Sequence, residues 1–120
     1  MSQGWARFAL NHYSRLKRWR DYAASIAKAC REILGRHCRS VYVVGGAAEE
    51  RLTVLSDIDV VLVVDEQRLK TLENIVRVRR RAEELGLPVD IPVDIKILVE
   101  EEFMELTRKG VYRRVVRIDS

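Results

Sequence analysis

A short β-branched run, Val41 to Val44, breaks at Gly45-Gly46. A polar segment with helical spacing follows, and then a second apolar run, Ile58 to Val64, opens on Asp57-Ile58-Asp59. No other stretch limits the fold so tightly. Side chains i and i+2 of a strand point to one face, so Asp57 and Asp59 aim the same way. Two like charges at the mouth of a strand that otherwise reads as buried are costly unless something positive offsets them. A divalent cation such as Mg2+, which prefers carboxylate oxygens, does so. Apolar residues fall on both faces after Asp59, which predicts a central strand covered on both sides.

The rest of the chain supplies what such a strand needs. The 120 residues fit one domain, 1–120, and a hydrophobic content of 48% is enough for a core. No apolar run reaches the ~20 residues of a spanning helix, and the first residues lack the apolar core of a secretory signal. The expectation is a cytoplasmic protein with no membrane partner. Cys30 and Cys38 match no zinc or redox spacing and read as buried or idle thiols. Charge is uneven. Residues 1–40 hold nine Lys/Arg against two Asp/Glu, while residues 41–120 hold thirteen against sixteen. The basic segment reads first as the solvated face of a helix, which makes nucleic acid a less favoured partner.

Leu16, Trp19, Ala23, Ile26, Cys30, Ile33 and Leu34 recur at helical steps, predicting one helix over about 11–35 that stops at Gly35. Trp5, Phe8 and Tyr13, at or before its start, read as packing residues. Ala47 to Leu52 suits a short helix, and a strand–Gly-Gly–helix junction suits phosphate, though a tight turn would look the same. After Asp57–Val64 comes a helix capped by Asp65 and ending at Gly86. Its Arg77–Arg81 run is expected to be solvated or ion-paired. A connector with two prolines delays the third strand to about Val93. Val93, Ile95, Ile97 and Val99 then share one face, and Asp94, Lys96 and Leu98 the other. Asp94 is the candidate third acid, with Asp90 as the fallback. A helix over 100–109 and a loose edge strand over 111–118 complete the chain. The fold class is α/β (α+β): a small mixed sheet of three or four strands with flanking helices.

Asp57, Asp59 and Asp94, beside a glycine turn, form the set that two-metal phosphoryl chemistry uses. No G-x-G-x-x-G or P-loop pattern occurs, and His12 and His37 lie outside the cluster.

Gly45-Gly46, Ser56-Asp57-Ile58-Asp59-Val60 and the later Val93-Asp94-Ile95 together resemble the polymerase-β-type nucleotidyltransferase superfamily, in particular its minimal members from archaea and bacteria. The likeness covers about 38–110. It implies Mg2+ (two ions) at Asp57, Asp59 and Asp94, with Asp94 also a candidate general base. It also implies contact of Gly45 and Gly46, with Ser56, to the phosphates of ATP or another NTP. Minimal members often pair with a small helical HEPN-type protein in toxin–antitoxin modules, and some are similar to enzymes that place AMP on that partner. The chain has no room for a substrate-binding domain, so the acceptor is expected to be held by a partner or a second copy. The phosphate turn departs from the pattern of many small members in having Gly46 rather than Ser, followed by Ala47-Ala48-Glu49-Glu50-Arg51. A subunit that silences its partner by contact alone, or one that modifies nucleic acid, is the alternative.

Overall fold

The computed structural model describes residues 3–118. Two helices lead, α1 (Gln3–Leu16) and α2 (Trp19–Leu34), and a single 3-10 turn, Gly35–His37, joins them to β1 (Cys38–Val44). The four-residue helix α3 (Gly45–Ala48) and a loop precede β2 (Ile58–Val64). Helix α4 (Leu72–Glu84), β3 (Val93–Val99), α5 (Glu100–Arg108) and β4 (Val116–Arg117) follow. The sheet is mixed, in the order β3-β2-β1-β4. β1 pairs antiparallel with both β2 and β4, and β2 pairs parallel with β3. The mixed α/β class and the central place of β2 agree with the sequence.

Strand alternation divides the sheet into two faces. Val41, Val43, Ile58, Val60, Leu62, Val64, Ile95 and Ile97 join Leu16, Ile26, Cys30, Val78 and Ala82 from the helices in the main core. The opposite face is smaller. Val44, Val61 and Val63 pack against Phe103 and Tyr112, with the Tyr42 and Phe103 rings stacked at 4.4 Å. This second layer covers the C-terminal part of β2 and leaves its first residues free of a lid. β2 is therefore buried on both faces beyond Asp59, for the reason its unbroken apolar run implied.

Several expected boundaries move. The expected helix over 11–35 is two helices, broken at Lys17–Arg18 by a tight turn in which the Arg18 N–H reaches the Arg15 carbonyl at 3.0 Å. Neither glycine nor proline marks the break. It lets Leu16 and Trp19 both enter the core. Trp5 and Phe8 were expected to pack and instead are 58% and 66% exposed on α1. Asp65 does not cap α4. Thr71 does, accepting the Asn74 N–H at 3.1 Å, while Asp65 pairs with His37. Cys30 and Cys38, read as thiols, are joined in a disulfide with Cα atoms 6.0 Å apart. A separation of eight residues across the turn after α2 brings them within bridging range. The edge strand is confined to Val116–Arg117. No helix among the described residues is long and apolar enough to cross a membrane.

Candidate active site

β1 ends at Val44, and the backbone turns at once through Gly45, whose φ is +67°. An L side chain is strained in that left-handed region, and glycine is not. A second constraint is spatial: a Cβ at Gly45 would lie 2.3 Å from the Asp59 Oδ2. The register explains the closeness, because Val44 on β1 is opposite Asp59 on β2. The glycine turn and the carboxylate are thus in contact. Gly46 is under no such constraint: a Cβ there would meet only Arg51 backbone atoms and the Ser56 Oγ at 3.7–3.9 Å.

On the other side of β2, Asp59 is in register with Asp94 of the parallel strand β3. Neighbours in register share a face, so both carboxylates stand on the side away from α2 and α4. Asp57, one residue before β2, adds a third charge. The Asp59 carboxyl is pushed above the usual carboxylate range, first by burial and then by the charges of Asp94 and Asp57, with Lys96 acting in the opposite sense. The electrostatics therefore register all three acids as one group. Lys96, two residues beyond Asp94 on the same face, is the one cation among these causes; the alternation of β3 places it there, although no motif in the sequence marks it.

The fallback acid Asp90 stands elsewhere. Its carboxylate accepts two hydrogen bonds from the Arg15 guanidinium, at 2.8 and 2.7 Å, which holds it at about 2, well below the usual range. Asp90 ties α1 to the connector before β3, so Asp94 is the acid beside Asp59. Arg79 fixes the same connector. Its guanidinium donates to the carbonyls of Val89, Ile91 and Val93 at 3.3, 3.1 and 3.2 Å, anchoring the chain just ahead of Asp94. One arginine of the Arg77–Arg81 run is thus a backbone clamp.

Ser56 lies beside Gly46, but its hydroxyl serves the loop, accepting the Thr53 N–H at 2.8 Å. The acids of the turn are partly neutralised. Glu49 accepts from Arg51 at 2.9 Å, and Glu50 faces Arg114 at 3.8 Å. Main-chain bonds from Glu49 N–H to the Gly45 carbonyl and from Arg51 N–H to the Gly46 carbonyl close the turn. The cap residue Val44 has no side chain that could bond the first-turn N–H groups of α3. Such groups suit an anion.

Two other features lie far from this edge. A cavity of about 540 Å3 is lined by Val64, Val99 and Glu100, at the C-terminal ends of strands whose N-terminal ends carry Asp59 and Asp94. Among the described residues, His37, Asp65 and Glu66 form a group whose ligand atoms all lie within 4.8 Å of one another, also at that far end. His37, expected to be incidental, shares a hydrogen bond with Asp65 at 2.8 Å, and Glu66 pairs with Arg68, so each member already has a partner.

The three aspartates are not gathered as tightly as that group, and the case for a cation there rests on their mutual repulsion and donor chemistry. Among the described residues no ion pair engages them, Lys96 offsets only part of their charge, and the Gly45 backbone beside Asp59 forms a cradle that a Cβ would fill. Oxygen donors of this kind suit Mg2+.

Comparison with known proteins bears on the fold and the family. A Sulfolobus solfataricus protein provisionally assigned as a nucleotidyltransferase has a crystal structure that superposes with a TM-score of 0.52 at 19% identity, covering 91% of this chain and 84% of that one. At that identity the likeness concerns the fold alone. No curated protein matches the chain in sequence. The family model described as a nucleotidyltransferase domain matches residues 24–117, most of the chain and all of the site, and the protein belongs to that family.

Proposed function

We propose that the protein is a Mg2+-dependent nucleotidyltransferase that moves a nucleotidyl group, AMP from ATP, onto a hydroxyl of a separate protein. The observation that carries this reading is the seating of the Gly45 backbone against the Asp59 carboxylate, with Asp94 in register beside it. Phosphates and acids are handled at one place.

Asp57, Asp59 and Asp94 would hold the metal, which when bound neutralises the triphosphate and makes the attacking hydroxyl a better nucleophile. The chain's own groups do the rest. Free N–H groups at Gly45-Gly46 and the start of α3 orient the phosphates, and Ser56 keeps the following loop closed behind them. The acceptor oxygen attacks the α-phosphorus as the bond to the β-phosphate oxygen breaks and pyrophosphate leaves. Asp94, the more exposed of the paired strand acids, takes the hydroxyl proton as general base. Lys96 moderates the charge that the acids accumulate.

The acceptor is proposed to be a small helical protein of the HEPN type, silenced by the modification, so that this chain acts as an antitoxin. Support comes from the resemblance of the glycine turn and the three aspartates to the minimal members, and from the match of residues 24–117 to the nucleotidyltransferase domain. Incubation with α-labelled ATP, Mg2+ and the product of a neighbouring gene that encodes a small helical protein should label that product. Absence of label, or equal labelling by Asp57→Ala, would reject the reading.

A further inference from the structure

The N-terminal helices build a second site that transfer chemistry does not use. Where they meet α3 lies a cavity of about 310 Å3 lined by Tyr13, Lys17, Trp19, Arg20, Glu50 and Arg114. Three of these six are cations and one is an acid. Two of the cations are held by aromatic faces. The Lys17 ammonium sits 4.8 Å from the Tyr13 ring centre, and the Arg20 guanidinium lies 4.1 Å over the Trp19 ring. Among the described residues neither forms an ion pair with a carboxylate. Cation–π contacts of this kind fix a charge in place without neutralising it. Such cations are ready for an anion.

The position matters as much as the charge. Ala47 and Ala48 of α3 form one wall, and α3 begins at the Gly45-Gly46 turn. A four-residue helix rises only about 6 Å, so the cavity lies roughly one turn of helix behind the phosphate turn. Tyr13, Lys17, Trp19 and Arg20 all precede residues 24–117. The cavity therefore joins residues that precede the matched family core to Ala47, Ala48, Glu50 and Arg114 within it. Its rim is strained as well. Glu50 has φ +59° and is the one described non-glycine residue with positive φ. Strain of this kind persists where surrounding structure fixes it and gathers at functional sites.

We propose that this cavity binds the phosphate backbone of a single-stranded nucleic acid. Lys17, Arg20 and Arg114 contact phosphates, and the outer face of the Arg20 guanidinium, whose inner face rests on Trp19, stacks a base. An acidic peptide supplies charge but no ring to complete that stack. Glu50 is the local repulsive group, held off by Arg114. The site stands whichever acceptor receives the nucleotide, because binding here needs no transfer.

The test is fluorescence anisotropy with a labelled eight-nucleotide single-stranded RNA and the full chain at low salt, without nucleotide or metal. Lys17→Gln with Arg20→Gln should weaken binding roughly tenfold and lower the salt slope by about 1.4, from two phosphate contacts at ~0.7 each. Glu50→Gln should tighten binding a few-fold, a gain that misfolding cannot imitate. Arg36→Gln, remote from the cavity, should change neither. Unchanged affinity and slope in the double variant, or no tightening by Glu50→Gln, would overturn the proposal. So would equally strong binding of polyglutamate.

Discussion

Gly45 and Gly46 are adjacent and chemically identical, yet the structure treats them differently. Gly45 needs both a left-handed backbone and the space that the Asp59 carboxylate occupies, so Gly45→Ala should cost roughly 1–2 kcal/mol of stability. By displacing Asp59 it should also reduce transfer about a hundredfold. Gly46→Ala meets only ordinary contacts at 3.7–3.9 Å and should stay within about 0.5 kcal/mol of the parent. Thermal melts and the labelled-ATP assay on the pair check both halves. Asp59 supplies the second prediction at this scale. Burial, Asp94 and Asp57 all disfavour its ionised form. An acid raised in the folded state destabilises the fold increasingly as pH rises through its folded value. In metal-free buffer at pH 7, Asp59→Asn should therefore raise Tm by roughly 2–5 °C while abolishing transfer and any stabilisation by Mg2+. A fall in Tm would mean that Asp59 is held by partners rather than strained by neighbours.

Elements were legible where a period or a punctuating residue marked them, and obscure where tertiary contacts decided. β2 and β3 could be read because one apolar run and one alternating run admit a single face assignment, and that assignment put Asp94 beside Asp59. The α1–α2 break left no trace, because Lys17 and Arg18 are good helix formers and the turn is imposed by packing. Asp65 and Thr71 are both good caps in sequence, but a separate 3-10 turn, Gln67–Leu69, follows Asp65 and α4 starts only after Thr71. Arg79 was hidden in a run of arginines, although it donates to three carbonyls of the connector before β3. Arg79→Met should leave those carbonyls short of donors and cost roughly 1–3 kcal/mol. It should also lower transfer by loosening Asp94, with the Mg2+ requirement shifted to higher concentration. A variant with wild-type metal dependence would make Arg79 merely structural. The disulfide was equally invisible, since an eight-residue separation fits no motif. It fastens α2 to β1, and its reduction should cost roughly 2–3 kcal/mol by loop-closure entropy, read as a drop in denaturant midpoint between oxidised and reduced protein.

At the scale of the molecule, the sheet separates stability from chemistry. One face carries the main core against α2 and α4. The other is covered by α5 and Tyr112 only beyond Asp59, so the acids stay open to a ligand while their strands are held rigidly from behind. α1 stands apart from this arrangement. Among its described residues only Leu16 is buried, and Trp5, Phe8 and Leu10 are all more than half exposed. The Arg15–Asp90 pair is the polar clip that joins it to the connector ahead of β3, and its pH dependence can be worked out. Asp90 is lowered from 3.8 to about 2, chiefly by the hydrogen bond from Arg15. A carboxylate depressed in the folded state contributes stability that is fully present above its unfolded value and lost as pH falls through its folded value. The difference in unfolding free energy between the wild type and Asp90→Asn should accordingly be constant from pH 7 to 5, shrink below about pH 4 and approach zero near pH 2. Denaturant titrations of the two proteins at each pH measure it. A gap that persists unchanged at pH 2 would show that Asp90 acts through packing and that α1 is held by Leu16 alone.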